Sequence, residues 1–280
     1  MSFVFIESDQ DLNVLNHELL LRPYIGLDTE FRRTSKDNMK LALLQVNDSD
    51  EIYLIDCLQI KEPKKNCIFL YSPDTTKIFH SFREDLDAIY SWTDKKVINI
   101  FDTQIADAFL GGSFSLSYKN LVKEKFGLEV SKDETRTNWL RRPLSESQLN
   151  YAASDVLFLV DLYRQQIEEL KKVDKLIWLE EELNNPPSLD SFINHPLEKT
   201  FSITKKEERE ILSEFAGIVK NTSKLEDINS TFFFSKQNQK ILLANTLVFG
   251  VENALKGITE WRSGLIKIPF SRLMKNFGVL

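Results

Sequence analysis

Asp28-Thr29-Glu30 closes the apolar segment Tyr24-Ile25-Gly26-Leu27. Side chains of an extended strand alternate between faces, so Asp28 and Glu30 point one way. Ile25, Leu27, Thr29 and Phe31 point the other way, toward a core. Two carboxylates on one face repel unless something positive sits between them, and a divalent cation is the economical candidate. A solvated strand edge would carry the same pair without one.

Two further carboxylates stand out by helical phase. Ser81-x-x-Glu84 reads as a capping box that starts a helix at Ser81. At about 100° per residue, Phe82, Leu86 and Ile89 form its apolar stripe, and Asp85 falls at the stripe's edge. A carboxylate there loses hydration and needs a partner, as in a buried ion pair. Ser145-x-x-Gln148 opens a second helix whose main stripe runs Leu149, Ala152, Ala153, Val156, Val160, Tyr163 and Ile167. Tyr151 and Asp155 lie one turn apart on nearly the opposite face, beside Phe158 and Leu162. They too ask for a partner, although an ordinary Tyr–Asp contact would also account for them.

The elements that position these residues begin with three strands, at 24–31, 41–47 and 51–56, the last two joined through the turn cluster Asn47-Asp48-Ser49-Asp50. Strand–helix alternation follows, with strands at 76–80 and 96–100 and helices at 82–91, 102–110 (opened by Asp102 as N-cap), 116–126 and 146–170. Antiparallel strands followed by α/β units predict an α/β fold, a mixed five-stranded sheet flanked by helices. Asn184-Asn185-Pro186-Pro187-Ser188 breaks the pattern as a hinge. The domain reading is 1–185, a linker at 186–200, and a smaller all-helical domain at 201–280 with helices at 204–220, 237–256 and 258–276.

The chain has 280 residues, enough for one full core and a satellite or for two domains. No apolar run reaches the roughly 18–20 residues of a membrane span, and the N-terminus lacks the features of a signal peptide. Cys57 and Cys67 fit no metal or redox spacing, so a reducing cytoplasm is the expected location. Net charge is −6, but residues 231–280 carry seven basic side chains against two acidic ones. An acidic body with a basic end suits metal chemistry on a polyanion; a solvated lysine-rich tail would look the same.

Four blocks then become recognisable: Leu27-Asp28-Thr29-Glu30-Phe31, His80-Ser81-Phe82-Arg83-Glu84-Asp85-Leu86, Phe101-Asp102-Thr103-Gln104-Ile105-Ala106, and Arg136-x-x-Trp139-Leu140-x-Arg142-Pro143-Leu144-Ser145-x-x-Gln148-x-x-Tyr151-Ala152-Ala153-Ser154-Asp155-Val156. In order and spacing they resemble the bacterial ribonuclease D family, of the DEDD superfamily of 3′→5′ exonucleases with an RNase H-like fold. The resemblance covers about residues 1–185 and weakens beyond them. It implies that Asp28, Glu30, Asp85 and Asp155 are the metal-binding carboxylates and Tyr151 the tyrosine of the tyrosine subgroup; the sister subgroup's histidine position is Asn150 here. It also implies a nucleic-acid-binding role for the helical C-terminal part.

The function so implied is a 3′→5′ exoribonuclease that trims RNA 3′ ends, tRNA precursors among them, by two-metal-ion hydrolysis. An all-carboxylate ligand set calls for Mg²⁺ or Mn²⁺. Tyr151, with an ordinary pKa near 10, suits orienting a water better than deprotonating it. Arg136, Arg141 and Arg142 precede the catalytic helix and Arg32 follows the first motif, which makes them candidate phosphate ligands. His80, at a strand end, reads as structural. A DNA exonuclease and a catalytically silent RNA-binding protein are the competing readings.

Overall fold

The computed structural model describes residues 2–35, 38–130, 137–184 and 203–279. The chain forms two compact units, one of Met1–Ala106 with Ser115–Glu168, the other of Asp107–Phe114 with Glu169–Leu280. Among the described residues, no helix is long and apolar enough to cross a membrane.

The first unit is built on β1 (Val4–Ile6), β2 (Tyr24–Ser35), β3 (Asn38–Asn47), β4 (Ile52–Asp56), β5 (Thr76–Phe79) and β6 (Ile100–Asp102), in the spatial order β1-β4-β3-β2-β5-β6. β3 runs antiparallel to both β2 and β4, whereas β1 on β4, β5 on β2 and β6 on β5 are parallel. The sheet is mixed, as expected, but has six strands rather than five. The extra strand, β1, is three residues at an edge, too short for an alternating pattern to register in the sequence. The last strand also sits later than the expected 96–100, because Asn99 adopts a left-handed conformation (φ 53°) that delays extension until Ile100.

Helices α1 (Asp9–Leu19), α2 (Pro63–Asn66), α3 (Arg83–Thr93), α4 (Thr103–Phe109), α5 (Tyr118–Phe126), α6 (Glu146–Val156) and α7 (Leu159–Lys172) follow the chain. The Ser145–Gln148 capping box forms with both of its hydrogen bonds. The Ser81–Glu84 box does not. Ser81 has φ 69°, and the N-cap of α3 is Phe82, which has no side-chain cap bond. Asp102 supplies that end instead: one carboxylate oxygen accepts from Phe82 N at 2.9 Å, and the other caps α4 through Gln104 N and Ile105 N.

The single helix expected over 146–170 is two, α6 and α7. At the break, the Tyr118 hydroxyl accepts from Phe158 N at 2.9 Å and donates to Ser154 O at 3.3 Å. Asn47 Nδ2 donates to Val156 O and Leu157 O, both at 3.0 Å. Backbone groups that leave the helical ladder are thus satisfied by side chains from β3 and α5. Helix and sheet also approach closely at the break: a Cβ added at Gly26 would lie 2.9 Å from Leu159 Cβ. Gly26→Ala is therefore expected to cost about 1–3 kcal/mol, by pushing α7 off β2. Urea unfolding checks it; an unchanged midpoint would mean that Leu159 yields freely.

The second unit is helical, with α8 (Leu176–Asn184), α9 (Lys205–Leu225), α10 (Ser230–Phe233), α11 (Lys236–Phe249), α12 (Val251–Leu255) and α13 (Glu260–Asn276). α9 opens with a complete capping box, Thr204 with Glu207. The expected 237–256 helix divides at Gly250, whose φ of 78° suits glycine. Phe109, Phe215, Phe233, Trp261 and Phe270 are buried in this unit. So is Arg262, held by Glu182 and by the carbonyls of Phe232 and Phe233, with Trp261 stacked 4.3 Å away. Residues 169–184 group with these helices. The 186–200 linker lies outside the described residues.

Candidate metal centre

β2 delivers Asp28 and Glu30 to one face of the sheet, two residues apart, as strand alternation requires. β5 pairs with β2 from Tyr24 to Gly26, which places the acidic pair just beyond that pairing. α6 delivers Asp155. One carboxylate oxygen each from Asp28, Glu30 and Asp155 lie within 4.8 Å of one another, and all three residues are half-buried. Asp85, in the first turn of α3, is buried and is not part of that group of three. Its Oδ1 accepts from Thr29 Oγ1 at 2.5 Å. Thr29, on the core face of β2, thereby ties the fourth carboxylate to the strand that carries the first two.

The electrostatics show how far these acids are compressed. Desolvation, then repulsion from Asp85, Asp155 and Glu30, drives the Asp28 carboxyl well above the usual range. Desolvation with Asp155 and Asp85 pushes Glu30 up to about 9. Asp85 rises to about 7 through burial, partly offset by the Thr29 bond. Asp155 rises to about 6, again by burial, moderated by a hydrogen bond from Tyr151 and by the Lys119 charge. Such a cluster fits a hard cation: it is all oxygen, preassembled and short of positive charge, and among the described residues no His or Cys joins the group.

Tyr151 is buried one turn before Asp155, with the Trp139 ring 6.1 Å away and Lys119 Nζ 5.5 Å from its centroid. Thr29 and Lys119 are contributions that the sequence reading missed. Thr29 was assigned to the core by strand phase, and nothing in the spacing around Lys119 signals its proximity to Asp155. His80 is structural as expected, its ring nitrogens 2.9 Å from Thr103 Oγ1 and 3.0 Å from Leu116 O.

The arginines divide. Arg142 is engaged within the fold. Its guanidinium engages both Asp56 oxygens at 2.6 and 2.7 Å and the carbonyls of Ala42, Trp139 and Arg141, which uses all five of its N–H donors. Ala42 is the extra residue at the register shift that follows Glu30, so Arg142 stabilises the bulge beside the acidic pair. Arg32 and Arg141 are exposed. Arg136 lies outside the described residues.

The 3′-5′ exonuclease family profile matches residues 3–171, a span that includes Asp28, Glu30, Asp85, Tyr151 and Asp155. The chain belongs to the 3′-5′ exonuclease family. Within it, the chain is similar to ribonuclease D of Shewanella sp. (strain ANA-3), 38% identical over 180 residues, which cover 64% of this chain and 46% of that protein. The chain thus matches less than half the length of that relative. Among solved structures, Escherichia coli RNase D superimposes with a TM-score of 0.63 at 23% identity, covering 100% of this chain and 76% of that one. Brucella melitensis NrnC with bound Mg²⁺ gives 0.56 at 23%, covering 66% and 90%. At such identities these structures speak for the fold the family shares, the mixed sheet with flanking helices.

Proposed function

We propose that this chain is a divalent-metal-dependent 3′→5′ exoribonuclease, trimming RNA 3′ ends such as those of tRNA precursors and releasing nucleoside 5′-monophosphates in the cytoplasm. The observation that carries this reading is the convergence of Asp28, Glu30 and Asp155, with Asp85 held beside them by Thr29. The ribonuclease D relatives support the substrate class, and NrnC with its Mg²⁺ supports the cofactor. Asp28, Glu30, Asp85 and Asp155 would hold two divalent ions, Mg²⁺ or Mn²⁺, which supply Lewis-acid activation of water and neutralise charge on the phosphate.

The chain's own residues do the rest. Tyr151, hydrogen-bonded to Asp155, is proposed to orient the attacking water rather than to deprotonate it. Trp139 and Lys119 flank its ring. Exposed Arg32 and Arg141 are proposed to meet the substrate phosphates. With Arg262 buried, six exposed basic side chains of residues 231–280 remain to hold the RNA body by its phosphates.

Timed digestion of 3′-tailed RNA and its DNA counterpart with Mg²⁺, Mn²⁺ or EDTA tests this reading. Single-nucleotide shortening of RNA, abolished by EDTA, is expected. DNA shortened as fast as RNA would make the chain a general exonuclease, and no product with either ion would leave an RNA-binding scaffold. In the same assay Tyr151→Phe should be slower by about ten- to a hundredfold; an unchanged rate would remove Tyr151 from the reaction.

A further inference from the structure

Gln45 is fully buried in β3, and among the described residues neither its Nε2 nor its Oε1 has a hydrogen-bond partner. A primary amide carries two donors and an acceptor, and leaving such a group buried and unpaired costs about 1–3 kcal/mol. An apolar residue of similar size would avoid that cost, so the amide calls for a partner.

Its neighbours say where the partner comes from. Gln45 stands directly opposite Asp28 in the β2–β3 register. Opposed residues of an antiparallel pair share a face, with Cβ atoms about 4.5–5.5 Å apart. Across the other strand Gln45 faces Leu54, and its same-face neighbour toward Glu30 is Leu43. Asn47, the same-face neighbour in the other direction, already donates to Val156 O and Leu157 O at the end of α6. Gln45 therefore lies on the α6 side of the sheet, where Asp28 is the ionisable group directly opposite it; Glu30 and Asp56 stand one diagonal step away, and Asp56 is already held by Arg142.

We propose that Gln45 is a positioning residue for the cation site. Its Nε2–H donates to the Asp28 carboxylate when the site is loaded, fixing which Asp28 oxygen faces the cation. This rests on the metal-dependent reading above. Gln45 touches neither substrate nor reacting atoms; it acts through Asp28.

The test is Mn²⁺ titration of the full chain, following free Mn²⁺ by its EPR signal, for the wild type, Gln45→Leu and Gln45→Met. Melting in EDTA accompanies each titration. Both variants should bind Mn²⁺ about 10–100-fold more weakly, while their melting temperatures in EDTA stay level or rise, because an unpaired amide has been removed. Wild-type affinity in the variants would overturn the proposal. So would a fall in EDTA melting temperature that tracks the affinity loss in both variants, which would make Gln45 an ordinary core residue. A wild type that takes up no Mn²⁺ would instead overturn the metal-dependent reading itself, a result distinguishable from either.

Discussion

Asp28→Asn and Asp155→Asn should each lower RNA hydrolysis by about 10³-fold or more, a loss of about 4 kcal/mol of transition-state stabilisation. Both substitutions keep shape and remove one charge from the group of three oxygens that converge within 4.8 Å. The same change should stabilise the metal-free fold. Repulsion from Asp85, Asp155 and Glu30 is among the forces that raise the Asp28 carboxyl, and an amide at that position does not feel it. For a chain of this size, each kcal/mol of repulsion relieved adds about 2–4 °C to Tm. Loss of activity together with a higher Tm in EDTA is a combination that a misfolded variant does not produce. Turnover at the wild-type rate in saturating Mg²⁺ would remove either aspartate from the centre; a lower Tm would give it a structural role.

The acidic residues were legible in the sequence because their signals are local. Strand parity alone places Asp28 and Glu30 on one face, and helical phase alone puts Asp85 at the margin of an apolar stripe. The Ser145–Gln148 box likewise needs only residues three apart. What escaped depends on partners far along the chain. Arg142 looks like a free loop cation until Asp56, 86 residues earlier, takes its guanidinium. The break between α6 and α7 has no glycine or proline to announce it, since Tyr118 and Asn47 supply its missing hydrogen bonds from α5 and β3. Ser81 has the right type and spacing for a capping box. Its positive φ removes it from that role, and Asp102 replaces it from 20 residues away. Thr29 shows both sides: parity correctly buries it, yet cannot say that its hydroxyl reaches Asp85.

The four compressed carboxyls also set a pH dependence whose sign is determined. Asp155 near 6, Asp85 near 7, Glu30 near 9 and Asp28, driven well above the usual carboxylate range, all lie above their unfolded values. Between about pH 4 and pH 9 the metal-free folded chain therefore binds more protons at these positions than the unfolded chain does. Stability from this cluster is intact below the unfolded pKa values and is lost as pH rises through the folded ones. Tm in EDTA should fall between pH 6 and pH 9, and the increment from added Mg²⁺ should grow over the same interval. Where one proton is displaced per ion bound, apparent Mg²⁺ affinity should rise about tenfold per pH unit. Buried Lys77 works the other way: burial lowers it to about 8, so its contribution to stability rises with pH above that value. Lys77 is common to the wild type and Asp28→Asn, so the difference between their Tm–pH curves isolates the acidic cluster. That difference should widen toward alkaline pH and close when Mg²⁺ saturates the wild type. Parallel curves in EDTA would mean that the carboxyls ionise without opposing one another, and the case for a cation among them would lose its electrostatic basis.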